Sequence, residues 1–413
     1  MFSESQDKID ASFPYLLISR SARSIALVFV SLAFSLYLHS LGYSLVLIGV
    51  LYLFIVLFNI FLSLAIGIIG DRIGYAKALI LGELFPLIGL AGLALSTNIY
   101  LIALYAIVGG ISGTAGGLRG AFSPGMTAFV ASNWPEEMPR IHRLANINVV
   151  ASLSSIVGGF LVITHDYLNP YFGSAGTFRI LFAVSFLILL VSFVSLFMLK
   201  EKRRPRKTTK VMKKESFSYT MRIIAANMIN GAAIGIAIPL LPLWFELRYH
   251  LTVSYVGEIF TLAYAATALG SYISGKYLNS VKISAIGVSS VTRFFQGLLM
   301  VVLAFSPFVT IAFLLYALRS GIAGIGAPMR SAISVRGIGK EDYGTASSIQ
   351  GIATRGSQST SGLSGYLMDL YMPSPLLIGG LIQISGSFVY YRIIRNWEMK
   401  KGNWDVMHDE LKK

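Results

Sequence analysis

The 413-residue sequence contains no cysteine, only five histidines and only 13% charged residues. Without cysteine the chain forms neither a disulfide nor a thiolate metal site. So little charge, combined with 55% hydrophobic residues and a mean hydropathy of +0.69, excludes an ordinary soluble domain. A chain of this length holds about twelve apolar spans of roughly 20 residues. The composition therefore predicts one all-α polytopic membrane protein.

Acidic residues are also scarce, and the excess positive charge is concentrated in one segment. The formal net charge is +15, and residues 200–214 alone hold nine Lys/Arg against one acid, Glu201. A basic segment between apolar runs is typical of a cytoplasmic linker, and it suits contact with anionic membrane lipids. It lacks the interleaved aromatics and folded module of a nucleic-acid-binding surface, so no nucleic-acid partner is expected. With an even number of spans on each side, both termini are expected in the cytoplasm of a cell-membrane protein.

The predicted spans follow the apolar runs. They begin near residues 24, 46, 76, 100, 145 and 178 in the first half, and near residues 219, 255, 284, 310, 345 and 375 in the second. The predicted organisation is a cytoplasmic N-terminal segment at 1–23, a six-helix bundle at 24–199, a basic linker at 200–218, a second six-helix bundle at 219–396 and a cytoplasmic tail at 397–413.

Matching residues in the two halves indicate a duplication. Earlier pairs lie 208 residues apart and later pairs 204 apart, so a four-residue indel separates the two blocks. The pairs are Gly49 with Gly257, Gly67 with Gly275, Pro124 with Pro328 and Glu137 with Glu341. Weak internal symmetry between bundles joined by a linker is typical of secondary transporters, whose substrate site lies at the repeat interface. Chance similarity between apolar segments is the alternative.

A short charged turn at residues 67–79, G-I-I-G-D-R-I-G-Y-A-K-A-L, separates the second and third spans. Its apolar flanks place it at a membrane surface. We expect the Asp71 carboxylate to interact with the exposed amides at the start of the third helix, and Gly74 to allow a backbone turn that other residues resist. In the second half, Asn279 stands at the position of Asp71. The turn residues of interest are Gly67, Gly70, Asp71, Arg72 and Gly74.

This turn resembles the signature loop between the second and third spans of the major facilitator superfamily, roughly G-x-L-x-D-R-x-G-R-K-x-x-L. The sequence departs from that pattern at Tyr75 and Ala76, where two basic residues usually stand. The resemblance implies twelve helices in two six-helix bundles and transport by alternating access. It also implies that Asp71 and Arg72 latch the two bundles on the cytoplasmic side, and that the second half, with Asn279, has lost the carboxylate. A simple turn and helix cap is the alternative.

Ionisable residues inside the predicted spans are few and mostly basic. Such side chains are expensive in hydrocarbon and usually face a bundle interior or a water-filled cavity. The basic members are Arg119, Arg293, Arg319, Arg330 and Arg355, against the acids Glu83 and Glu258. Guanidinium groups bind carboxylate and phosphate through charge-assisted hydrogen bonds, so the excess of arginine favours an anionic solute.

Neutral polar residues and arginines together form the predicted substrate site. Asn227 and Asn230 lie three apart on one face of the seventh span, and a polar stripe in the eleventh span runs beside Arg355. The resemblance adds arginines of the fourth and tenth spans, because the first, fourth, seventh and tenth spans line the cavity in that superfamily. Close helix packing by Ser and Thr, and snorkelling of tenth-span arginines to lipid phosphates, are the alternatives. The full set is Arg119, Asn227, Asn230, Arg319, Arg330, Gln350, Arg355 and Gln358.

No G-x-x-x-x-G-K-S/T loop occurs, which argues against ATP as the energy source of this chain alone. A buried carboxylate is the usual carrier in proton coupling, and Glu83 in the third span and Glu258 near the outer end of the eighth are the candidates. A fixed ion pair with an arginine is the alternative role of Glu83. No cofactor, metal or catalytic group is expected, because neither a ligand cluster nor a nucleophile with its base occurs at a recognisable spacing.

The sequence therefore predicts a secondary transporter of a small anionic solute, with proton coupling left open. Proton-driven multidrug efflux is the alternative. It is weakened because the fifth span, A-S-L-S-S-I-V-G-G-F-L-V, lacks the Gly-Pro motif common in such antiporters of the superfamily, and the first span has no acid in its apolar core. A non-transporting receptor or scaffold on the same fold is a remote alternative, and a membrane enzyme is disfavoured.

Overall fold

A computed structural model of the chain describes residues 2–111, 122–134, 137–201, 212–274, 284–339 and 342–400. Within these ranges the backbone forms fifteen α-helices joined by short connections. An apolar segment that crosses lipid must satisfy its backbone hydrogen bonds internally, and the α-helix does this within one segment. Ten of the described helical segments are long and apolar enough to cross a membrane.

The helices match the twelve predicted spans in order, because three spans consist of two helices each: α4 with α5, α8 with α9, and α13 with α14. The first half contains α1 Phe2–Ser40, α2 Leu45–Ile73, α3 Tyr75–Leu95, α4 Ile99–Gly109, α5 Phe122–Asn133, α6 Glu137–Ile163 and α7 His165–Leu196. The second half contains α8 Lys214–Ala237, α9 Leu241–Tyr249, α10 Val253–Ile273, α11 Ala285–Ala304, α12 Val309–Arg336, α13 Tyr343–Gln358, α14 Gly362–Leu370 and α15 Ser374–Lys400.

Helix α1 begins earlier than the predicted first span. Ile9, Phe13 and Leu16 recur every three or four residues, share one helical face and are buried in a core cluster with Trp134. The Trp134 indole N–H donates to the Asp10 carboxylate at 2.7 Å. Most of the expected N-terminal segment is thus a continuation of α1 that packs against the following helices, because its apolar face has a partner.

Prolines interrupt the seventh span. Helix α8 ends at Ala237 and α9 begins at Leu241, so the break spans Pro239, and Pro242 lies in the first turn of α9. Proline lacks a backbone N–H and tolerates the first turn of a helix better than its interior. The two prolines therefore account for the break between α8 and α9.

Packing divides the chain into two compact units that do not follow its two halves. The first unit comprises Met1–Val211, Ile238–Leu262 and Ser359–Met372. The second comprises Met212–Ala237, Ala263–Gln358 and Pro373–Lys413. Two segments of the second half thus belong to the first unit. The division at 24–199 and 219–396 stays a prediction about the repeat, and most of the basic linker and the tail lies outside the described residues.

Within the first unit, α14 lies directly against α2. A Cβ placed on Gly365 would collide with the backbone carbonyl of Leu45, and one placed on Gly49 would lie 2.8 Å from the Gly365 amide nitrogen. Two helix backbones this close leave no room for side chains, as in small-residue interfaces of membrane helices. The core of the second unit lies around Tyr219, whose hydroxyl donates to the Ile333 carbonyl at 2.6 Å.

Candidate functional site

A buried ion pair lies inside the first unit. The Arg23 guanidinium on α1 donates to one carboxylate oxygen of Glu83 on α3, and the Ser192 hydroxyl on α7 donates to the other at 2.5 Å. The side chains of Arg23 and Glu83 are 5% and 0% exposed. Ser192 has one hydroxyl hydrogen, so Ser19, 2.9 Å away, donates to Ser192. Three helices therefore meet around one carboxylate.

A second arginine makes this cluster net positive. Arg20 precedes Arg23 by three residues on the same face of α1, is 1% exposed and interacts electrostatically with Glu83. The guanidinium carbon of Arg23 also lies 4.5 Å from the centre of the Phe122 ring. Sequence reasoning missed both arginines because it started the first span at residue 24. Their spacing in S-R-S-A-R-S was the signal that one buried helical face holds them.

A second polar cluster lies inside the second unit. Arg293 on α11 is 4% exposed, and its Nη2 donates to the Asn227 side-chain oxygen on α8 at 2.6 Å. The guanidinium carbon lies 4.1 Å from the centre of the Tyr390 ring on α15. This cation–π contact and the amide hold the guanidinium between three helices. The sequence showed Arg293 inside a span but gave no reason to rank it above the other arginines.

A layer of amides lies one helical turn from Arg293. Gln383 on α15 donates to the side-chain oxygens of Asn230 at 3.2 Å and Gln296 at 3.4 Å. Gln296 in turn donates to the Thr292 backbone carbonyl at 3.0 Å. Because Asn227 and Asn230 are three apart on α8, and Arg293 and Gln296 three apart on α11, the two layers form one continuous polar strip.

The arginines of α12 occupy two environments. Arg319 is 7% exposed, and its guanidinium carbon lies 6.0 Å from the centre of the Tyr316 ring. Arg330 is half-buried and donates to the Ala323 carbonyl of its own helix at 2.9 Å. Arg319 is therefore buried within the second unit, whereas Arg330 is only partly enclosed there.

The polar stripe of the eleventh span lies on α13, which packs along α8. Gln350 donates to the Ser334 carbonyl of α12 at 3.0 Å, Arg355 is half-buried and Gln358 is 4% exposed. Ser357 packs directly against Gly231 of α8. A side chain added at Gly231 would collide with the Ser357 hydroxyl. The polar stripe therefore lies on α13, and its neighbour Ser357 serves packing against α8.

The charged turn contains a single non-helical residue. Gly74, between α2 and α3, has φ 103°, a value that favours glycine, and its N–H donates to the Gly70 carbonyl at 3.0 Å. The Glu201 carboxylate, just after α7, accepts from the amides of Tyr75 at 3.0 Å and Ala76 at 2.9 Å. Glu201 is thus a capping carboxylate for α3, a role the sequence interpretation gave to the acid of the turn itself.

Asp71 and Arg72 lie in the last turn of α2 rather than in a loop, because α2 continues to Ile73. Arg72 is exposed, and a side chain at Gly67 would meet no atom within 4 Å. The Asp71 side chain lies outside the described part of the chain. Arg119 and Asn279 also lie outside it.

The ends of the helices opposite Gly74 are tightly joined in the first unit. The Ser254 hydroxyl donates to the Ile163 carbonyl at 2.5 Å, and its amide donates to the Asp166 carboxylate at 3.2 Å. The Trp244 indole donates to the Met372 carbonyl at 2.9 Å. The Ser254 contacts join a segment of the second half of the chain to helices of the first half, whereas the Trp244 contact joins two segments of the second half.

Two further residues at that end differ in environment. Tyr43, in the connection between α1 and α2, donates its hydroxyl to the Ile99 carbonyl, and burial raises its pKa to about 12. Its phenol therefore stays protonated at neutral pH. Glu258 on α10 is exposed, so it lacks the burial expected of a proton carrier.

Comparisons with known proteins identify the family. The family model described as Major Facilitator Superfamily matches residues 16–362. The POT family transporter PepTSo is 12% identical, with a TM-score of 0.73 over 94% of this chain and 98% of that one. The E. coli fucose:proton symporter FucP is 16% identical, with a TM-score of 0.61 over 92% of this chain and 98% of that one.

The human organic anion transporter MFSD10 is 13% identical, with a TM-score of 0.66 over 93% of this chain and 99% of that one. No curated protein sequence matches the chain significantly. Structural similarity at such low identity establishes the fold, and the family model covers most of the chain. The chain belongs to the Major Facilitator Superfamily and is a secondary membrane transporter.

Proposed function

We propose that this chain transports a small anionic solute by alternating access. The observation that carries the proposal is the charge of the buried interior. Within the described spans, the buried arginines are Arg20, Arg23, Arg293 and Arg319, and the buried carboxylate is Glu83. Each unit therefore has buried positive charge in excess. Anionic cargo complements such an interior, and burying positive charge in excess of negative charge is otherwise costly.

The excess of buried positive charge, rather than structural similarity, supports an anionic solute. MFSD10 is named as an organic anion transporter, but at 13% identity its likeness to this chain extends to the fold alone. Guanidinium groups offer several N–H donors in a plane and remain charged, so they select carboxylate and phosphate over neutral or cationic solutes. The residues that we propose for substrate binding are Arg119, Asn227, Asn230, Arg319, Arg330, Gln350, Arg355 and Gln358.

We also propose that the turn around Gly74 is the cytoplasmic gate, with both chain termini on the same side. Asp71 and Arg72 lie at its helix end, and Glu201 ties the start of α3 to the end of α7. A one-residue turn clamped by a carboxylate moves as a rigid body with its helices. A rigid element of this kind suits rocking of bundles about a central site. Asn279 is the proposed neutral counterpart in the second half.

Proton coupling, where it operates, is best assigned to Glu83. Glu83 is fully buried and touches Arg23, whereas Glu258 is exposed. Protonation of Glu83 would release a guanidinium for an incoming anion, which links proton and solute. A coupled transporter predicts that uptake responds to an imposed pH gradient and that Glu83→Gln abolishes this response while Glu258→Gln retains it.

The test is uptake into proteoliposomes containing the purified protein, with protein-free liposomes as the background. The solutes are labelled benzoate, succinate, inorganic phosphate and an amphiphilic quaternary ammonium compound, each with and without a pH gradient. We expect uptake of at least one anion, reduced at least tenfold by Arg319→Gln and Arg355→Gln. The matched control is Arg392→Gln, because Arg392 is exposed on α15. Movement of the quaternary ammonium compound without any anion would replace this proposal by multidrug efflux.

A further inference from the structure

The second unit contains a buried guanidinium that no described carboxylate neutralises. Arg293 is 4% exposed, and the ion pairs formed by the described residues do not include it. Its Nη2 is bonded to Asn227, whereas Nε and Nη1 are buried and make no hydrogen bond to any described residue. Those two nitrogens carry three N–H donors. A buried cation with unused donors is costly unless something binds it.

The guanidinium is nevertheless held in one place. Asn227 lies on one side, 2.6 Å from Nη2, and the Tyr390 ring covers the group with its centre 4.1 Å from the guanidinium carbon. Tyr390 is 1% exposed, so the ring is itself fixed by packing. Donors that are positioned before the ligand arrives lose little freedom on binding, which favours tight and selective recognition.

The first unit has a comparable three-helix cluster, in which a buried arginine faces a carboxylate of the chain itself. There, α1, α3 and α7, the first, third and sixth spans of one half, place Arg23 against Glu83. The corresponding spans of the other half are α8, α11 and α15, and they place Asn227 against Arg293. In the second half, therefore, the arginine lies on the third span and its partner is a neutral amide. Among the described residues the Arg293 charge has no carboxylate beside it, and a group from outside the chain can supply one.

The neighbouring amides extend this position. Gln383 is 1% exposed, and its side-chain oxygen is buried without a hydrogen bond to any described residue, although its nitrogen bonds Asn230 and Gln296. Asn227 and Asn230 are half-buried, so the strip is least enclosed along α8.

We propose that Arg293, together with Asn227 and Gln383, is the subsite that holds the anionic group of the transported solute, a carboxylate or a phosphate. This inference rests on the proposed anion transport and names the residue that recognises the charge. The oxyanion accepts a hydrogen bond from one of the two unused nitrogens of Arg293, Nε or Nη1, and the nearby amides bind polar groups of the solute. Arg293 is thus placed ahead of the arginines of α12 and α13 for this role.

The test compares Arg293→Gln and Arg293→Lys with the control Arg392→Gln, which removes one charge from an exposed position. Binding of benzoate, succinate and inorganic phosphate is followed by the shift in thermal unfolding midpoint and by uptake in proteoliposomes. We expect Arg293→Gln to weaken binding of the transported anion at least thirtyfold and Arg293→Lys to weaken it less. Arg392→Gln should stay within twofold of the unaltered protein. Comparing the three anions distinguishes carboxylate from phosphate recognition.

Stability without ligand separates a binding arginine from a merely structural one. If Arg293 awaits an anion, removing its unpaired charge leaves the ligand-free protein at least as stable. In the same way, Asn227→Asp should raise the unfolding midpoint and abolish anion binding, because an internal carboxylate beside the guanidinium then neutralises the charge that the anion needs. Asn227→Asp also keeps Arg293 itself, so it tests the inference even if Arg293→Gln fails to fold.

The outcomes distinguish this inference from the proposed function. Anion uptake by the unaltered protein that persists in Arg293→Gln overturns the subsite and leaves anion transport standing. Unchanged anion binding in Asn227→Asp overturns it as well. If the unaltered protein neither binds nor transports any anion of the panel, the proposed anion transport fails and the subsite fails with it.

Discussion

The ion pair between Arg23 and Glu83 gives the sharpest stability prediction. Glu83→Gln keeps the size of the side chain and an oxygen that can accept from Ser192, but it removes the negative charge that faces Arg23. The guanidinium is then a buried cation without its counter-charge. Arg23→Met removes the other partner, and the double variant Arg23→Met/Glu83→Met removes both charges together.

The expected magnitude follows from burial. The two side chains are 5% and 0% exposed, so water does not screen the pair and cannot replace a lost partner. Breaking a buried pair by removing one partner costs about 3–5 kcal/mol, whereas replacing both partners by apolar residues is often neutral. For a unit of this size the single substitutions should lower the unfolding midpoint by on the order of 10 °C. The double variant should recover most of that loss.

The assay is thermal unfolding in one detergent, read by intrinsic fluorescence and by the monodisperse fraction on size-exclusion chromatography. A double-mutant cycle then gives the coupling between the two positions. The matched control is Glu258→Gln, an exposed acid on α10, which should change the midpoint little. The reasoning is refuted if Glu83→Gln is as stable as the unaltered protein, or if the two single losses simply add in the double variant.

Three further predictions concern the turn, the helix contact and pH. Glu201→Gln weakens the cap of α3 and should cost about 0.5–2 kcal/mol in the same unfolding assay, unlike Glu258→Gln. Gly365→Ala should lower the unfolding midpoint by an amount equivalent to about 1–3 kcal/mol because of its backbone collision, whereas Gly351→Ala on α13 meets open space and should be neutral or stabilising. The pKa of Tyr43 is raised above its ordinary value of 10 to about 12. Its contribution to the free energy of unfolding is therefore present below pH 10 and is lost as the pH rises towards 12. Tyr43→Phe removes the hydrogen bond to the Ile99 carbonyl and should therefore be less stable at neutral pH, and the difference from the unaltered protein should shrink over that range.

Much of the fold follows from the sequence because lipid allows few backbone structures. Long apolar runs predict helices, and the prolines at 239 and 242 predict the break before α9. Helix α1 begins more than twenty residues before the predicted start of the first span, since hydropathy alone does not show that Phe13 and its neighbours find a packing partner. The cap of α3 was missed for a similar reason. Glu201 lies more than 120 residues from the amides it binds.

For the candidate site, the sequence by itself determined that arginines outnumber acids inside the spans, because composition survives any folding. Which arginine is neutralised depends on tertiary structure. Glu83 on α3 is satisfied by Arg23 and Ser192, whereas Arg293 on α11 meets the neutral Asn227. These partners lie between 60 and 109 residues apart along the chain, and only the packing of helices brings them within hydrogen-bond distance. The sequence supplied the charges, and the tertiary structure decided which of them remain available to a solute.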